Sequence, residues 1–223
     1  MKKFPYTLLQ TAIFIYAWSG FALLIFDFLT GNISPNFIQD LEQRTGRHAI
    51  TLLVLSLSCT PINTIFKWSE PLKRRRALGL YALLYATVHV IIYVDLDYGL
   101  AWNSVVQNII EKPRLIVGTL AFLFMIPLGI TSFDIWKKRL GKNWKRLHRF
   151  VYLIAPLAVL HYLWSKKGDI FSLQGEVLRP LTYGLIVVIF LIFRIPTIRK
   201  ALASFSSRIL SLRKKQDAQP EQV

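Results

Sequence analysis

The sequence has a single cysteine, Cys59, among its 223 residues. One thiol excludes an internal disulfide, a thiolate metal cluster and a covalently attached haem, which needs a CxxCH motif. Acidic residues are also few, with 12 Asp and Glu against 28 Lys and Arg, so the formal net charge is +16. Because the basic residues cluster between apolar blocks, we expect them to contact solvent and lipid headgroups, and we expect no nucleic-acid partner.

Apolar residues make up 53% of the chain, the mean hydropathy is +0.41, and these residues occur in long blocks. The six blocks are 8–29, 49–66, 77–94, 115–135, 150–164 and 181–195. Blocks of this length predict an all-α membrane protein, a bundle of six transmembrane helices. The start, MKKFPYTLLQ, is typical of a signal peptide, but no small-residue cleavage site follows it, so we expect the first span to be retained.

The distribution of basic residues predicts the orientation of these spans. The N-terminus, the second and fourth loops and the C-terminal tail carry most of the Lys and Arg. Basic segments stay in the cytoplasm, so we expect both termini there. The chain then divides into a transmembrane domain, 1–198, and a basic cytoplasmic tail, 199–223. Leu202, Phe205, Ile209 and Leu212 fall on one helical face of that tail, which fits an interfacial helix. A frayed basic tail is the alternative.

Two histidines lie inside apolar blocks, His89 in the third and His161 in the fifth. In the predicted topology both spans run outward. At 1.5 Å per residue, His89 lies about 18 Å into its span and His161 about 20 Å beyond His148, so their depths match. Two imidazoles at equal depth on facing helices are suited to clamp a porphyrin between them. The pair therefore predicts a haem b site with His89 and His161 as axial ligands.

A histidine inside a membrane has two other common explanations. Its ring can bond the backbone or a hydroxyl of a neighbouring helix, or it can take part in a proton relay. A relay usually includes carboxylates. Here only Asp27 and Asp134 lie inside or at the ends of spans, which argues against a transporter.

His148, at the cytoplasmic mouth of the fifth span, has no histidine partner at its own depth. Thirteen residues on a straight helix rotate by about 1300°, so His148 and His161 would share a face only if Pro156 changed the register. Three roles stay open for His148: ligand of a second haem with a non-histidine partner, contact with a propionate, and contact with an electron donor. We expect His48, at the start of the second span, to be an interfacial residue and not a ligand.

Four stretches of the chain are similar to one known family. They are RRALGLYALLYATVHVIIYVDLD around His89, EKPRLIVGTLAFLFMIPLGITS in the fourth span, KNWKRLHRFVYLIAPLAVLHYLW around His148 and His161, and TGRHAITLLVLSLSCTPI in the second span. Together they resemble the MsrQ family, also called YedZ, over nearly the whole chain. The resemblance implies a bundle of the ferric-reductase and NADPH-oxidase type, which holds b-type haems between the third and fifth spans. Carried over by position, the family's haem histidines are His89, His148 and His161.

The resemblance also implies a function. The family provides the haem-binding inner-membrane subunit of a bacterial system that reduces methionine sulfoxide in periplasmic proteins. It takes electrons from respiratory quinone and passes them to MsrP, a soluble molybdopterin enzyme, and FMN has also been associated with it. The chain would then be an electron-transfer subunit and not the catalytic one. We expect it to lack a NADPH- or FAD-binding domain, so reducing equivalents arrive from a membrane carrier or a separate cytoplasmic flavin reductase.

Two rival functions stay open beside this one. The rivals are a metalloreductase that delivers electrons to extracellular Fe(III), and a haemless transporter or structural subunit.

We expect a partner to dock on the outer loops 31–47, 95–114 and 165–180. The basic inner surface either holds a flavin phosphate or an anionic donor, or serves only orientation and lipid headgroups. Its residues are Arg74, Arg75, Arg76, Lys145, Arg146 and Arg149.

Overall fold

The computed structural model describes residues 7–166, 168–169, 174–204 and 207, and these are almost entirely helical. The helices are α1 (Leu8–Leu29), α2 (Phe37–Phe66), α3 (Glu70–Ile91), α4 (Trp102–Glu111), α5 (Pro113–Ile130), α6 (Asp134–Leu140), α7 (Lys142–Leu147), α8 (Val151–Trp164), α9 (Leu178–Ile192) and α10 (Pro196–Ser204). A π-helical turn, Ile92–Asp97, extends α3, and a 3₁₀ turn, His148–Phe150, joins α7 to α8. Two short strands, Gly168–Asp169 and Gln174–Gly175, pair antiparallel between α8 and α9.

Five helical segments of the described chain are long and apolar enough to cross a membrane. They are Leu8–Leu29, Phe37–Phe66, Glu70–Asp97, Pro113–Ile130 and Lys142–Trp164. A sixth span arises when α9 is joined to α10 across a bend of 82°. The predicted all-α bundle of membrane-spanning helices is therefore confirmed. Leu202 of the predicted tail helix lies in α10, whereas Phe205, Ile209 and Leu212 fall outside the described residues.

Helix α2 begins well before the second apolar block. The side chain of Asn36 accepts a hydrogen bond from the backbone N–H of Gln39, at 3.4 Å, and so caps the helix start. The first turns are polar but rich in good helix formers, and Arg44 pairs with Asp40 one turn earlier at 2.8 Å. Most of the predicted outer loop 31–47 is therefore helix. The expectation that His48 opens the second span is wrong, because His48 lies in the interior of α2.

The protein core lies between α2, α3, α5 and α8, with α1 and α9 packed against its sides. Leu52 and Leu57 of α2, Tyr85 of α3 and Ile154 of α8 are fully buried there. Helix α1 instead leaves many large apolar side chains exposed, as expected for a surface that lipid covers. These include Phe14, Ile15, Leu23, Ile25 and Phe26.

Polar contacts connect the outer helices to the core. The contacts are Tyr85 O–H donating to the carbonyl of Ala17 at 2.6 Å, the hydroxyls of Thr51 and Tyr183 at 2.6 Å, and Arg194 donating to the carbonyl of Leu57 at 3.0 Å. Because lipid tails are as apolar as leucine, helix association in a membrane depends on packing and on such hydrogen bonds. These three contacts fix α1 against α3, and α9 and the chain just after it against α2.

Helix α4, inside the predicted outer loop 95–114, was not expected from the sequence because it has too few apolar residues to form a span. Trp102, Val106 and Ile110 lie on one face and are exposed, whereas Val105 is buried. A short helix with one apolar face fits an interfacial position at the outer membrane surface.

Packing in the core predicts a large difference between two leucines of α2. Leu52 is 0% exposed and Leu55 is 39% exposed. Leu52→Ala leaves a cavity and should cost about 2–5 kcal/mol in the free energy of unfolding. Leu55→Ala, the matched control on the lipid-facing side, should change it by less than about 0.5 kcal/mol. Thermal unfolding in detergent compares the two, and equal midpoints would contradict the assignment of the core.

Candidate functional site

The structure brings His89 and His161 together at the end of the bundle where α3 and α8 finish. His89 lies near the end of α3 and His161 near the end of α8, and their ring centroids are 6.2 Å apart. The ring planes are inclined by 76°. The matched depths expected from the topology thus correspond to a direct juxtaposition of the two side chains.

The ring of His89 is held by α2. Its Nδ1 atom lies 3.0 Å from the carbonyl oxygen of Glu42. One turn further along α2, Gly46 faces the same ring, and a Cβ atom built there would lie 3.4 Å from it. A carbonyl accepts only, so Nδ1 carries the proton and the lone pair is left on Nε2.

The ring of His161 is held by α5 in the same way. Its Nδ1 atom lies 2.8 Å from the carbonyl oxygen of Arg114. Gly118, one turn further along α5, lies so close that a Cβ atom would be 2.5 Å from Nδ1. Only a residue without a side chain allows α5 and α8 to approach this closely at the histidine. Because Nδ1 of His161 donates to the Arg114 carbonyl, this ring also presents the lone pair of Nε2.

Four residues that position the histidines were missed by the sequence reasoning: Glu42, Gly46, Arg114 and Gly118. The sequence does contain a signal that could have found these four residues: each histidine follows the residue that supplies its carbonyl partner by the same 47 residues. Each supporting glycine also lies four residues after that partner. The helix pair α2–α3 and the helix pair α5–α8 thus repeat one arrangement around the two rings.

His148 lies in the 3₁₀ turn before α8, remote from the His89–His161 pair. Its Nε2 atom is 3.2 Å from the hydroxyl of Thr131, and its ring packs on Trp144 with centroids 4.1 Å apart. The Thr131 hydroxyl donates its proton to the carbonyl of Pro127 at 2.6 Å, so it accepts from His148. The structure does not bring another histidine to His148 within the described residues.

His48 packs in the bundle between α1 and α3. Its ring is stacked on Tyr16, with centroids 5.5 Å apart and planes parallel, and lies 5.0 Å from the ring of Tyr85. The Nε2 atom is buried and has no hydrogen-bond partner among the described residues. His48 is therefore separate from the His89–His161 pair.

Two of the six residues of the basic inner surface form ion pairs on α3 and α6. Arg74 pairs with Glu70 at 2.9 Å, and Arg76 pairs with Asp134 at 3.0 Å. Both pairs weaken the case for a flavin phosphate at these two arginines. In the described part of the chain no ion pair is formed by Arg75, Lys145, Arg146 or Arg149, so these four cations are still available to an anion.

The loop after α8 contacts α2 through Lys166. Lys166 donates to Gln43 at 2.8 Å and pairs with Glu176 at 2.5 Å, which holds the pKa of Glu176 below its usual value. Of the predicted docking loop 165–180, positions 167 and 170–173 lie outside the described residues.

Comparison with known proteins agrees with this architecture. The family described as ferric reductase like transmembrane component matches residues 16–159, which include His89 and His148. The protein-methionine-sulfoxide reductase heme-binding subunit MsrQ of Herminiimonas arsenicoxydans is 35% identical over 190 residues, 85% of each chain.

Two relatives carrying the same name come from Xanthomonas. MsrQ of Xanthomonas axonopodis pv. citri is 42% identical over 133 residues, 60% of this chain and 61% of the relative. MsrQ of Xanthomonas campestris pv. campestris is 41% identical over the same length and shares. The chain therefore belongs to the MsrQ family of ferric reductase-like transmembrane proteins.

Proposed function

We propose that this protein is the haem b subunit that carries electrons from respiratory quinone, across the bacterial inner membrane, to MsrP, the periplasmic molybdopterin enzyme that reduces methionine sulfoxide in proteins. The observation that carries this proposal is the pair of histidines, His89 and His161, facing each other at the outer end of the bundle. The relatives' names, heme-binding subunits of a protein-methionine-sulfoxide reductase, support the same function.

The dimensions of the pair fit haem iron. Two metal–nitrogen bonds of about 2 Å, extended by the imidazole rings themselves, separate two ring centroids by about 6 Å. The observed separation is 6.2 Å. Both Nδ1 atoms are bonded to backbone carbonyls, so both Nε2 atoms present a lone pair, as axial ligation requires. The alternative of purely structural histidines explains the Nδ1 bonds but not the juxtaposition of the rings.

A bound haem would supply one-electron exchange between ferric and ferrous iron. The chain's own residues fix the tautomer and orientation of both ligands through the carbonyls of Glu42 and Arg114. His161 lies three residues before α8 ends at Trp164, about 5 Å along the helix axis. Electrons delivered to this pair are therefore close to the outer surface, where a soluble partner docks.

The proposal also covers the orientation of the chain in the membrane and the role of its cytoplasmic side. The positive-inside distribution puts both termini in the cytoplasm, with 1–198 as the haem-binding transmembrane domain and 199–223 as a basic tail. His148 is assigned to the cytoplasmic side, as a contact of a haem propionate or of an electron donor, or as ligand of a second haem with a non-histidine partner; the ligand role requires its Nε2 bond to Thr131 to break. Binding of FMN and delivery of electrons by a cytoplasmic flavin reductase would take place at the same side, where Arg75, Lys145, Arg146 and Arg149 are the available cations.

A second candidate function is favoured by the family match itself. A ferric reductase-like transmembrane component with the same histidine pair could pass electrons directly to extracellular Fe(III). Measuring which acceptor reoxidises the reduced protein distinguishes the two functions. Reoxidation of its haem by MsrP with oxidised methionine, and not by an Fe(III) chelate, supports the MsrQ function, and the opposite result supports the metalloreductase.

Replacement of either ligand should abolish the outer site. In purified His89→Ala or His161→Ala protein, a low-spin b-type absorption spectrum should disappear. Gln43→Ala, on the outer surface of α2, should leave the spectrum unchanged. A stable, colourless wild-type protein from haem-replete cells would contradict the proposal.

The two supporting glycines should differ in their tolerance of a methyl group. Gly118→Ala places a Cβ atom 2.5 Å from His161, whereas Gly46→Ala places one 3.4 Å from His89. Gly118→Ala should lower haem affinity by about 10- to 100-fold, because it displaces the ligand's supporting bond. Gly46→Ala should have a much smaller effect. Haem titration of the apoproteins measures both, and equal affinities would argue against the observed packing.

The haem-to-protein stoichiometry decides whether His148 is a haem ligand. If His148 is a ligand of a second haem, His148→Ala should lose one haem per protein while the outer haem keeps its spectrum. Thr131→Val, which removes only the hydroxyl beside the ring, is the matched control and should retain both. Full haem content in His148→Ala would exclude an essential ligand role.

A further inference from the structure

A cluster of exposed cations lies on and just after α6, where the chain passes from one membrane span to the next. The spans Pro113–Ile130 and Lys142–Trp164 are joined by residues 131–141 alone. So short a connection stays close to the membrane boundary, at the level of the lipid headgroups. We call residues 131–142 the α6 segment. Its cations are Lys137, Lys138, Arg139 and Lys142, and all four residues are exposed.

Carboxylates of the protein do not neutralise these cations. The α6 segment contains a single carboxylate, Asp134, and Asp134 is paired with Arg76 of α3 at 3.0 Å. Among the residues that the structure describes, none of the four cations forms an ion pair. The segment therefore keeps a positive charge that only an anion from outside the described chain can balance.

Two of the four cations are held by aromatic rings instead. Lys137 Nζ lies 5.8 Å from the ring centroid of Trp144, and the guanidinium carbon of Arg139 lies 5.4 Å from that of Trp136. An indole face attracts a cation without cancelling its charge. Tryptophan is also the residue typical of the headgroup level of a membrane, so both rings support this position for α6.

Contacts at both ends of α6 attach it to the bundle. Before the helix, the ion pair of Asp134 with Arg76 joins it to α3. After the helix, the indole N–H of Trp144 donates to the carbonyl of Thr131 at 2.8 Å. Because these contacts fix α6 against α3 and α5, the helix presents its cations from a defined place and not from a free loop.

The same face of α6 carries an exposed apolar side chain. Ile135 is 73% exposed and precedes Lys138 and Arg139 by three and four residues, so the three side chains share one face. This combination is typical of an interfacial helix, in which the apolar side chain enters the acyl chains and the cations reach the phosphates. An acidic soluble partner would satisfy the cations but would leave Ile135 at the membrane boundary without its lipid contact.

We propose that the α6 segment is a binding surface for anionic phospholipid, with the headgroup phosphates on Lys138, Arg139 and Lys142 and the acyl chains against Ile135. A zwitterionic lipid carries no net charge, so the four unpaired cations favour an anionic one. The surface is separate from the His89–His161 pair and does not depend on the proposed haem function. It does adjoin His148, because the Trp144 ring that holds Lys137 also packs on His148, with centroids 4.1 Å apart.

The test titrates the whole protein, purified in neutral detergent, with phosphatidylglycerol or phosphatidylcholine, and counts bound lipids by native mass spectrometry. The wild type should bind phosphatidylglycerol at least tenfold more tightly. Lys138→Gln/Arg139→Gln should weaken this binding at least tenfold, since each cation near an anionic headgroup contributes about fivefold. The affinity for phosphatidylcholine should stay unchanged.

Two control variants separate the surface from total charge and from folding. Lys112→Gln/Arg179→Gln removes the same charge from exposed positions before α5 and at the start of α9, and should bind phosphatidylglycerol as the wild type does. Lys138→Arg/Arg139→Lys keeps the charge of α6 and should also bind normally. If the double glutamine variant does not fold, the single variants Lys138→Gln and Lys142→Gln replace it, each with an expected loss of about fivefold.

Three results would overturn the proposal. The first is equal affinity of the wild type and the α6 glutamine variants for phosphatidylglycerol. The second is displacement of the lipid by millimolar glycerol 3-phosphate, which would indicate a site for a small phosphate and not for a lipid. The third is a wild type that does not distinguish the two lipids but binds polyglutamate through Lys138 and Arg139, which would assign the surface to an acidic protein.

Discussion

Two hydrogen bonds to backbone carbonyls set the position of the histidine pair. Each ring is fixed at Nδ1 by the facing helix, His89 by Glu42 and His161 by Arg114. An imidazole inside a membrane is costly unless it has a partner, and a helix carbonyl is a partner that stays in place. The bonds also require close approach of the helices, which Gly118 permits by leaving no side chain between them. Ligand chemistry and helix packing are thus the same constraint at this site.

The rest of the bundle divides into a rigid half and a more open half. Helices α2, α3, α5 and α8 form the buried core and supply both the histidine pair and the carbonyls that hold it, while α1 exposes most of its apolar surface and touches the core through few contacts. The Tyr85–Ala17 hydrogen bond, the Arg44–Asp27 ion pair and the hydrogen bond from Thr7 to Glu70 are polar contacts that keep α1 in place.

The sequence predicted the spans and the depth of the pair because apolar block length and a 1.5 Å rise determine both. It predicted His89 opposite His161 for the same reason. It did not predict the early start of α2, because apolar patterning does not report a polar but helix-forming segment such as the one around Arg44. It placed His48 at an interface for that reason. Gly46 and Gly118 were missed because only the equal spacing to the histidines, and no local pattern, distinguishes them from other helical glycines.

The partners of the two rings are main-chain atoms, and this has an evolutionary consequence. A carbonyl is present whatever side chain its residue carries, so positions 42 and 114 can change identity without loss of ligand orientation. In this chain one of them is a glutamate and the other an arginine. If the pair holds a haem as proposed, substitution at these two positions would shift the electrostatic potential at its iron, and with it the driving force for electron transfer, while the two carbonyls keep the rings in the same orientation.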